Sequence, residues 1–479
     1  MTTPTVKFMF HRLAMLRFLG CLFFTLTLTS FAAPGPVVFD VRTLGAVGDG
    51  ATLDTKALQS AIDRCHAAGG GTVLVAGGRF LTGTLYLKSN VCLRIEAGAA
   101  ILGSTRIADY ATDTDRTMYR GEPHMDRCLI FARDAENIGI EGLGTIDGQG
   151  QAFPEKGDPQ KNRPKLLRLI HCSRLRLRDI TLRAPASWTT EWRYCNDIVV
   201  DGITIFSRAN INGDGLDFDG CTRVRVANST FDTSDDSICL QTSSPEHPCR
   251  DVTVSNCHFS SRWAGLRIGL LSRGDFENIA VTNCTFRDHR DSGVKIQMNE
   301  GAAMRNMVFS HLVMKNVPRP VFITFCQKNA WVDAGPELPP MQRVAGLHFS
   351  DIVVDDADLA GPVAVTCGFQ MTGMPGHPLE DITFTNISAI FPGGGTAEDA
   401  RNVLAEFTPE VLQKGWPEYS RFGATVPAFG FYARHVRGLT LRDVEIRTLA
   451  PDARPVAVFI DASDVKSTNA PAPQTTGAP

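Results

Sequence analysis

A short pattern recurs along the chain: two apolar residues one position apart, then a small or polar residue four places after the first. It reads Ile138-Gly139-Ile140 with Gly142, Leu175-Arg176-Leu177 with Asp179, Ile198-Val199-Val200 with Gly202, Val224-Arg225-Val226 with Asn228, Val252-Thr253-Val254 with Asn256, and Ile279-Ala280-Val281 with Asn283. It continues as Met307, Phe309 and His311, as Leu347, Phe349 and Asp351, as Ile382, Phe384 and Asn386, and as Leu439, Leu441 and Asp443. Between Leu175 and Met307 the first positions lie 23 to 28 residues apart. An alternation of period two is a short strand with one buried face. One such strand cannot bury that face alone, whereas strands stacked at about 4.8 Å per coil can. A second set recurs with the same spacing, as Leu216 and Phe218, Ile238 and Leu240, Leu266 and Ile268, Val294 and Ile296. Three strands per coil of this length predict an all-β, right-handed parallel β-helix. Propeller blades need about 40 residues and antiparallel hairpins, and no hairpin turns of that kind are present.

A repeat architecture lets all 479 residues serve few units. The expected organisation is an export signal over 1–32, one β-helix domain over 37–465 and a disordered tail over 466–479, rich in Ser, Thr, Ala and Pro. Lys7, Arg12 and Arg17 precede an apolar run from Leu19 to Phe31, and Ser30-Phe31-Ala32 suits cleavage after a small residue. A retained anchor is the rival, but the run is short and broken by Thr and Ser. The expected location is therefore secreted or periplasmic, with no membrane association after cleavage. Ala57, Leu58, Ala61, Ile62 and Cys65 form the stripe of a capping helix, with Asp54 as its N-cap and Gly69-Gly70-Gly71 as its stop. Residues 398–429 interrupt the repeat and form a long excursion. Net charge is -3 with no block of like charge, which excludes a nucleic-acid-binding surface. A monomer is expected.

Of 13 cysteines, Cys172, Cys195, Cys221 and Cys249 each fall three residues before a first apolar position, and Cys257 and Cys284 five after. Such columns favour stacked interior thiols over disulfides between coils, and no CxxC metal spacing occurs.

Chemistry concentrates in the second strand set. Asp214-Gly215-Leu216-Asp217-Phe218-Asp219 aligns with Asp236-Ser237-Ile238-Cys239-Leu240-Gln241, then with Ala264-Gly265-Leu266-Arg267-Ile268-Gly269, then with Ser292-Gly293-Val294-Lys295-Ile296-Gln297. With the aliphatic residues inward, the outward columns read Asp217, Cys239, Arg267, Lys295 and Asp219, Gln241, Gly269, Gln297. Asp214, Asp235 and Asp236 gather just before the strands on two adjacent coils. Carboxylates this close cannot all ionise, which supplies a protonated acid beside an ionised base. Arg267 and Lys295 are placed to hold an acidic sugar. A Ca²⁺ site is an alternative for the acidic cluster, and backbone bonding in turns is another, expected for Asp219 and Asp232. Trp188, Trp192 and Trp263 are either sugar platforms or buried packing.

At these residues the chain resembles glycoside hydrolase family 28, the polygalacturonase family of parallel β-helices. The family's Asn-Thr-Asp motif matches Asn212-Gly213-Asp214, with Gly215 and Asp217 following, and its Gly/Gln-Asp-Asp motif matches Ser234-Asp235-Asp236. Phe39-Asp40-Val41, Gly45 to Gly50, Gly69 to Val73 and Thr145 to Gly150 resemble segments shared more widely by β-helix proteins. The resemblance covers about residues 37 to 450. It implies hydrolysis of O-glycosidic bonds in a pectin-like, galacturonic-acid-containing polysaccharide or its oligosaccharides, with inversion and without metal or other cofactor. Asp235 would be the general acid, Asp214 and Asp236 would activate water, and Asn212, Arg267, Lys295 and Gln297 would bind substrate. Inversion predicts carboxyl groups roughly 6.5–9.5 Å apart. Two motifs depart: the family's Gly-His-Gly falls on Trp263-Ala264-Gly265, and its Arg-Ile-Lys on Lys295-Ile296-Gln297. These changes favour a substituted, branched or rhamnogalacturonan-type uronide at least as well as plain polygalacturonan. Two other readings stay open: a β-helix lyase using Ca²⁺ with Arg267 or Lys295 as base, and a non-catalytic glycan-binding solenoid.

Overall fold

A computed structural model of the chain describes residues 37–116, 125–153, 162–328, 338–408, 410–412, 415–472 and, as backbone only, 474–476. The expected export signal over 1–32 lies outside them. Among the described residues the strands pair in parallel from coil to coil, as a parallel β-helix requires. Helix α1 (Thr55–Ala67) buries Leu58, Ala61, Ile62 and Cys65 and contacts the first strands. Asp54 does not cap it through its side chain. Its carboxylate instead accepts hydrogen bonds from the backbone N–H groups of Val47 (2.7 Å) and Gly48 (2.9 Å), satisfying the preceding loop.

The strand column that carries the site runs β1 (Cys128–Arg133), β2 (Lys165–Ile170), β3 (Thr190–Arg193), β4 (Leu216–Asp219), β5 (Ile238–Thr242), β6 (Ala264–Ser272), β7 (Ser292–Met298) and β8 (Arg319–Phe325). A second column includes Ser173–Arg178, Asn196–Asp201, Thr222–Ala227 and Cys249–Ser255. A third includes Thr181–Arg183, Thr204–Ser207, Thr230–Thr233 and His258–Ser261. The residues expected inward are buried, with Leu216, Ile238, Leu266 and Val294 fully so. Like stacks on like inside: Phe259 lies 5.1 Å from Phe231 and 4.9 Å from Phe286 between ring centres. All twelve described cysteines are thiols, and eleven are buried, as the column placement predicted.

The small or polar residue of the repeat marks the bend out of the second column. Gly142, Asp179, Gly202, Asn228, Asn256, Asn283, His311, Asp351, Asn386 and Asp443 all adopt positive φ, the left-handed region that Gly, Asn and Asp enter at least cost. Their side chains also form a ladder: Asn228 Nδ2 donates to Asp201 Oδ1 (2.8 Å), and Asn256 Nδ2 to Asn228 Oδ1 (3.2 Å). Asn256→Ala therefore costs about 1–2 kcal/mol, from left-handed strain and one lost hydrogen bond. Denaturant unfolding checks this, and the neighbouring exposed Thr253→Ala is the control with little effect.

The expected tail is shorter than 466–479. Lys466–Thr468 pairs in parallel with Thr440–Arg442, and the backbone of Gln474–Thr476 with Val458–Ile460. Sequence composition overlooked that a short polar segment gains ladder hydrogen bonds at the open end of a solenoid. Residues 398–429 do leave the coil, with only short 3₁₀ turns at Asp399–Arg401 and Tyr419–Phe422. Leu404, Phe407, Leu412 and Phe422 pack with Phe322 and Tyr432, anchoring the excursion beside β7 and β8.

Candidate active site

The register fixes which side chains share the outward face of this column. Asp217 stacks on Cys239, Cys239 on Arg267, and Arg267 on Lys295, as the alternation predicted. Gly269 stacks on Gln297, but the register shifts between Leu240 and Thr242, so Gln241 does not sit on Gly269. Two earlier coils extend the first column to Arg168 and Glu191. These two were missed, although the same alignment carried two coils back would have found them.

Asp214 and Asp235–Asp236 come from the segments leading into β4 and β5. Asn212 holds φ 52°, and its side chain accepts from Arg163 Nη2 (3.0 Å) and donates to Asp235 Oδ2 (3.4 Å). A Cβ on Gly213 would stand 2.0 Å from the Ser207 carbonyl oxygen, and one on Gly215 2.2 Å from that of Ser237. Both glycines let Asp214 drop close to the next coil. The Asp235 carbonyl accepts from the hydroxyls of Thr233 and Ser261, each at 2.6 Å. Its Oδ1 takes the Asp236 N–H at 3.0 Å.

One oxygen from each of Asp214, Asp235 and Asp236 lies within 4.8 Å of the others. This is closer than the separation expected for an inverting pair. Arg267 Nη1 donates to Asp236 Oδ2 (2.8 Å), and the Ala264 N–H to Asp236 Oδ1 (3.3 Å). Ala264 stands where the resembled motif has histidine, so its backbone is what reaches the cluster. Burial, then the charge of Asp236, pushes Asp235 up to about 7. Burial, followed by the charges of Asp235, Asp217 and Asp236, pushes Asp214 well above the usual carboxylate range. The sequence reading put repulsion between carboxylates first, and burial is the larger cause. The Asp214 Oδ2 atom and both carboxylate oxygens of Asp217 are buried without a hydrogen-bond partner among the described residues.

On the N-terminal side, Lys165 Nζ (2.5 Å) and Arg168 Nε (2.7 Å) converge on Glu191 Oε2, all fully buried. Lys165 also lies 3.7 Å from the centre of the Trp188 ring. On the C-terminal side, Lys295 pairs with Asp291 (2.7 Å), Arg319 with Asp291 (3.3 Å), and Arg267 Nη2 donates to Gln297 Oε1 at 2.8 Å. Glu418, from the excursion, pairs with both Arg267 (3.4 Å) and Lys295. Gln297 Nε2 donates to the Pro417 carbonyl at 3.0 Å. The four residues expected to bind substrate are thus brought to one place, but Arg267, Lys295 and Gln297 are buried under residues 416–418 rather than open. Asn212, Asp235 and Trp263 remain half-buried. No periodic signal could have placed Glu418, because the excursion is outside the repeat.

Trp263 lies 4.8 Å from Lys295 Nζ and stays available to a sugar. Trp192 does not: it stacks on Phe218 in the register of Leu216 and Phe218 and is 1% exposed. Asp219 accepts from the Ser243 N–H and hydroxyl, both at 2.6 Å, consistent with a structural role. Asp232 instead pairs with Arg208.

Chemically, the cluster can donate one proton and accept another across a short gap. The family model described as glycosyl hydrolases family 28 matches residues 65–408. Among curated proteins, a probable polygalacturonase of Vitis vinifera is 24% identical over 72% of this chain and 72% of its own length. An exo-poly-alpha-D-galacturonosidase of Dickeya chrysanthemi is 25% identical over 71% of this chain and 66% of its own length. In three dimensions the chain is similar to a family 28 exopolygalacturonase of Yersinia enterocolitica, with TM-score 0.68 and 20% identity over 91% of this chain and 79% of the other. It is also similar to PfbA, a surface adhesin of Streptococcus pneumoniae, with TM-score 0.55 and 15% identity over 90% and 93%. Fold likeness alone therefore does not separate a hydrolase from an adhesin.

Proposed function

The chain belongs to glycosyl hydrolases family 28, and from that premise we propose that it hydrolyses O-glycosidic bonds in a pectin-like, galacturonic-acid-containing polysaccharide or its oligosaccharides, with inversion. The observation that carries this reading is the pairing of an Asp235 raised to about 7 with an Asp236 held in an ion pair by Arg267. Asp235, the more open of the two, is the general acid that protonates the leaving oxygen. Asp236 takes the proton of the attacking water, and Asp214 orients that water. Asn212 positions Asp235 through its amide. The short carboxylate spacing does not by itself encode inversion, which enters here as a property of the family. No metal or cofactor takes part in this scheme. Such a substrate lies outside the cell, so the reading includes export directed by residues 1–32.

Elimination would require a cation near the sugar to lose its proton. Arg267 and Lys295 are instead each committed to carboxylate partners. Among the described residues no helix is long and apolar enough to cross a membrane.

The test follows reducing ends and ultraviolet absorbance together, on a panel of pectic oligosaccharides over a range of pH. New reducing ends appear without the absorbance of an unsaturated product. Because Asp235 must be protonated to act, kcat/KM falls as pH rises through about 7, approaching tenfold per unit above it. An absorbing product, or activity that climbs through that range, contradicts the assignment.

A further inference from the structure

Glu418 sits where an acidic sugar was expected to place its carboxylate. It bridges Arg267 and Lys295, the two cations nearest the C-terminal side of the carboxylate trio. We infer that the sugar ring docking on this side, over Glu418 and Trp263, is uncharged, so that the bond cut joins a uronate to a neutral sugar. The inference rests on the hydrolase reading and narrows its substrate.

The charges on this side are already matched. Arg267, Lys295 and Arg319 face Asp236, Asp291 and Glu418 in ion pairs of 2.8, 2.7, 3.3 and 3.4 Å, together with the Lys295–Glu418 contact. An incoming carboxylate would meet Glu418 and Asp291 with no cation in surplus among these groups, in a buried setting where like charges repel strongly. What remains on this side for a sugar is the face of Trp263, half-buried above Lys295, while the Gln297 amide is already bonded to Arg267 and to the Pro417 carbonyl.

Glu418 is also held in place from both sides. The Trp416 ring lies 4.9 Å from Lys328 Nζ and packs with Met125, Trp188 and Leu271. The Pro417 carbonyl accepts from Gln297, and the Tyr419 ring lies 4.9 Å from the Arg319 guanidinium. Four consecutive residues are each engaged, so the segment forms a wall of the subsite. The opposite side of the trio differs. There Lys165 and Arg168 share the single carboxylate of Glu191, with Asp217 next in the column, and no loop carboxylate corresponding to Glu418 covers them among the described residues.

The experiment compares kcat/KM on two oligosaccharides of equal length, one all uronate and one alternating uronate with a neutral hexose. The wild-type protein favours the alternating chain by roughly tenfold or more, since like charges brought together cost binding. Glu418→Gln lowers that ratio about tenfold by gaining on the all-uronate chain, and the charge-conserving Glu418→Asp keeps it. The wild-type ratio stands as a test even if a variant folds poorly. A wild-type preference for the all-uronate chain, or an unchanged ratio in a folded Glu418→Gln protein, overturns the inference and leaves the hydrolase reading intact. Failure to cut either chain overturns the hydrolase reading and this inference with it.

Discussion

Asp235→Asn lowers kcat on pectic oligosaccharides by about 10³-fold with the thermal unfolding profile unchanged. The amide keeps the shape of the carboxyl and can still accept the Asp236 N–H at Oδ1, so the turn it belongs to is preserved. What is lost is the proton that the leaving oxygen needs. Three features single out this carboxyl as the acid. It is raised to about 7, so it is substantially protonated at neutral pH. It is the half-buried member of the trio, whereas Asp214 is 6% and Asp236 0% exposed. Its neighbour Asp236 is committed to Arg267. A substrate whose leaving group departs without protonation separates acid from base: Asp235→Asn loses far less on it, and Asp236→Asn loses as much as on the natural chain. Retention of more than about a tenth of wild-type kcat by Asp235→Asn on the natural chain would refute the assignment.

Glu191→Gln destabilises the fold by about 3–5 kcal/mol, the cost of leaving buried charge without its partner. Lys165, Arg168 and Glu191 are all fully buried, and both cations use the same carboxylate oxygen. Burial works against the charge on Glu191, but Arg168 and Lys165 hold its carboxyl well below the usual range. The two cations respond differently to its removal. Burial already pulls Lys165 down to about 8, so in the variant it sheds its proton near neutral pH and limits its share of the cost. Arg168 cannot deprotonate. It keeps its hydrogen bonds to the carbonyls of Thr114, Asp115, Met125 and Asp126, which offset part of the loss. Adding Lys165→Met to Glu191→Gln recovers stability, because one orphaned polar group is removed. The two changes are therefore non-additive. Urea unfolding of the single and double variants measures this, and additive losses would show that the trio is not coupled.

The strand columns were legible because the alternation has a strict period of two, and a slip by one residue would turn every aliphatic residue outward. That constraint placed Asp217, Cys239, Arg267 and Lys295 on one face before any coordinates. The bends were legible for a different reason: Asn228, Asn256, Asn283 and their counterparts tolerate positive φ where most residues do not. Register also decides Trp192, which shares the inward face with Phe218, although its residue type alone left two options open. What was hidden depends on contacts between segments without a period. Residues 416–419 reach the site from an excursion, and nothing in their sequence tells that Glu418 meets Arg267 and Lys295. Asp54 and Asp232 were misread because each had a nearer partner than the one local sequence suggested. The carboxylate spacing escaped too, since it is set by how deeply Gly213 and Gly215 let the Asp214 turn settle on the next coil.

The central claim is hydrolytic cleavage with inversion by the Asp214, Asp235 and Asp236 cluster. Proton NMR of the purified protein acting on galacturonate-containing pectic oligosaccharides tests it most directly, by resolving the anomer of the reducing end as it first forms. The account predicts a new reducing end whose initial anomer is opposite to that of the bond cleaved, before mutarotation equilibrates it, and no signal from an unsaturated sugar. A first-formed product of retained configuration, or an unsaturated ring in place of a hydrolysed one, would contradict it.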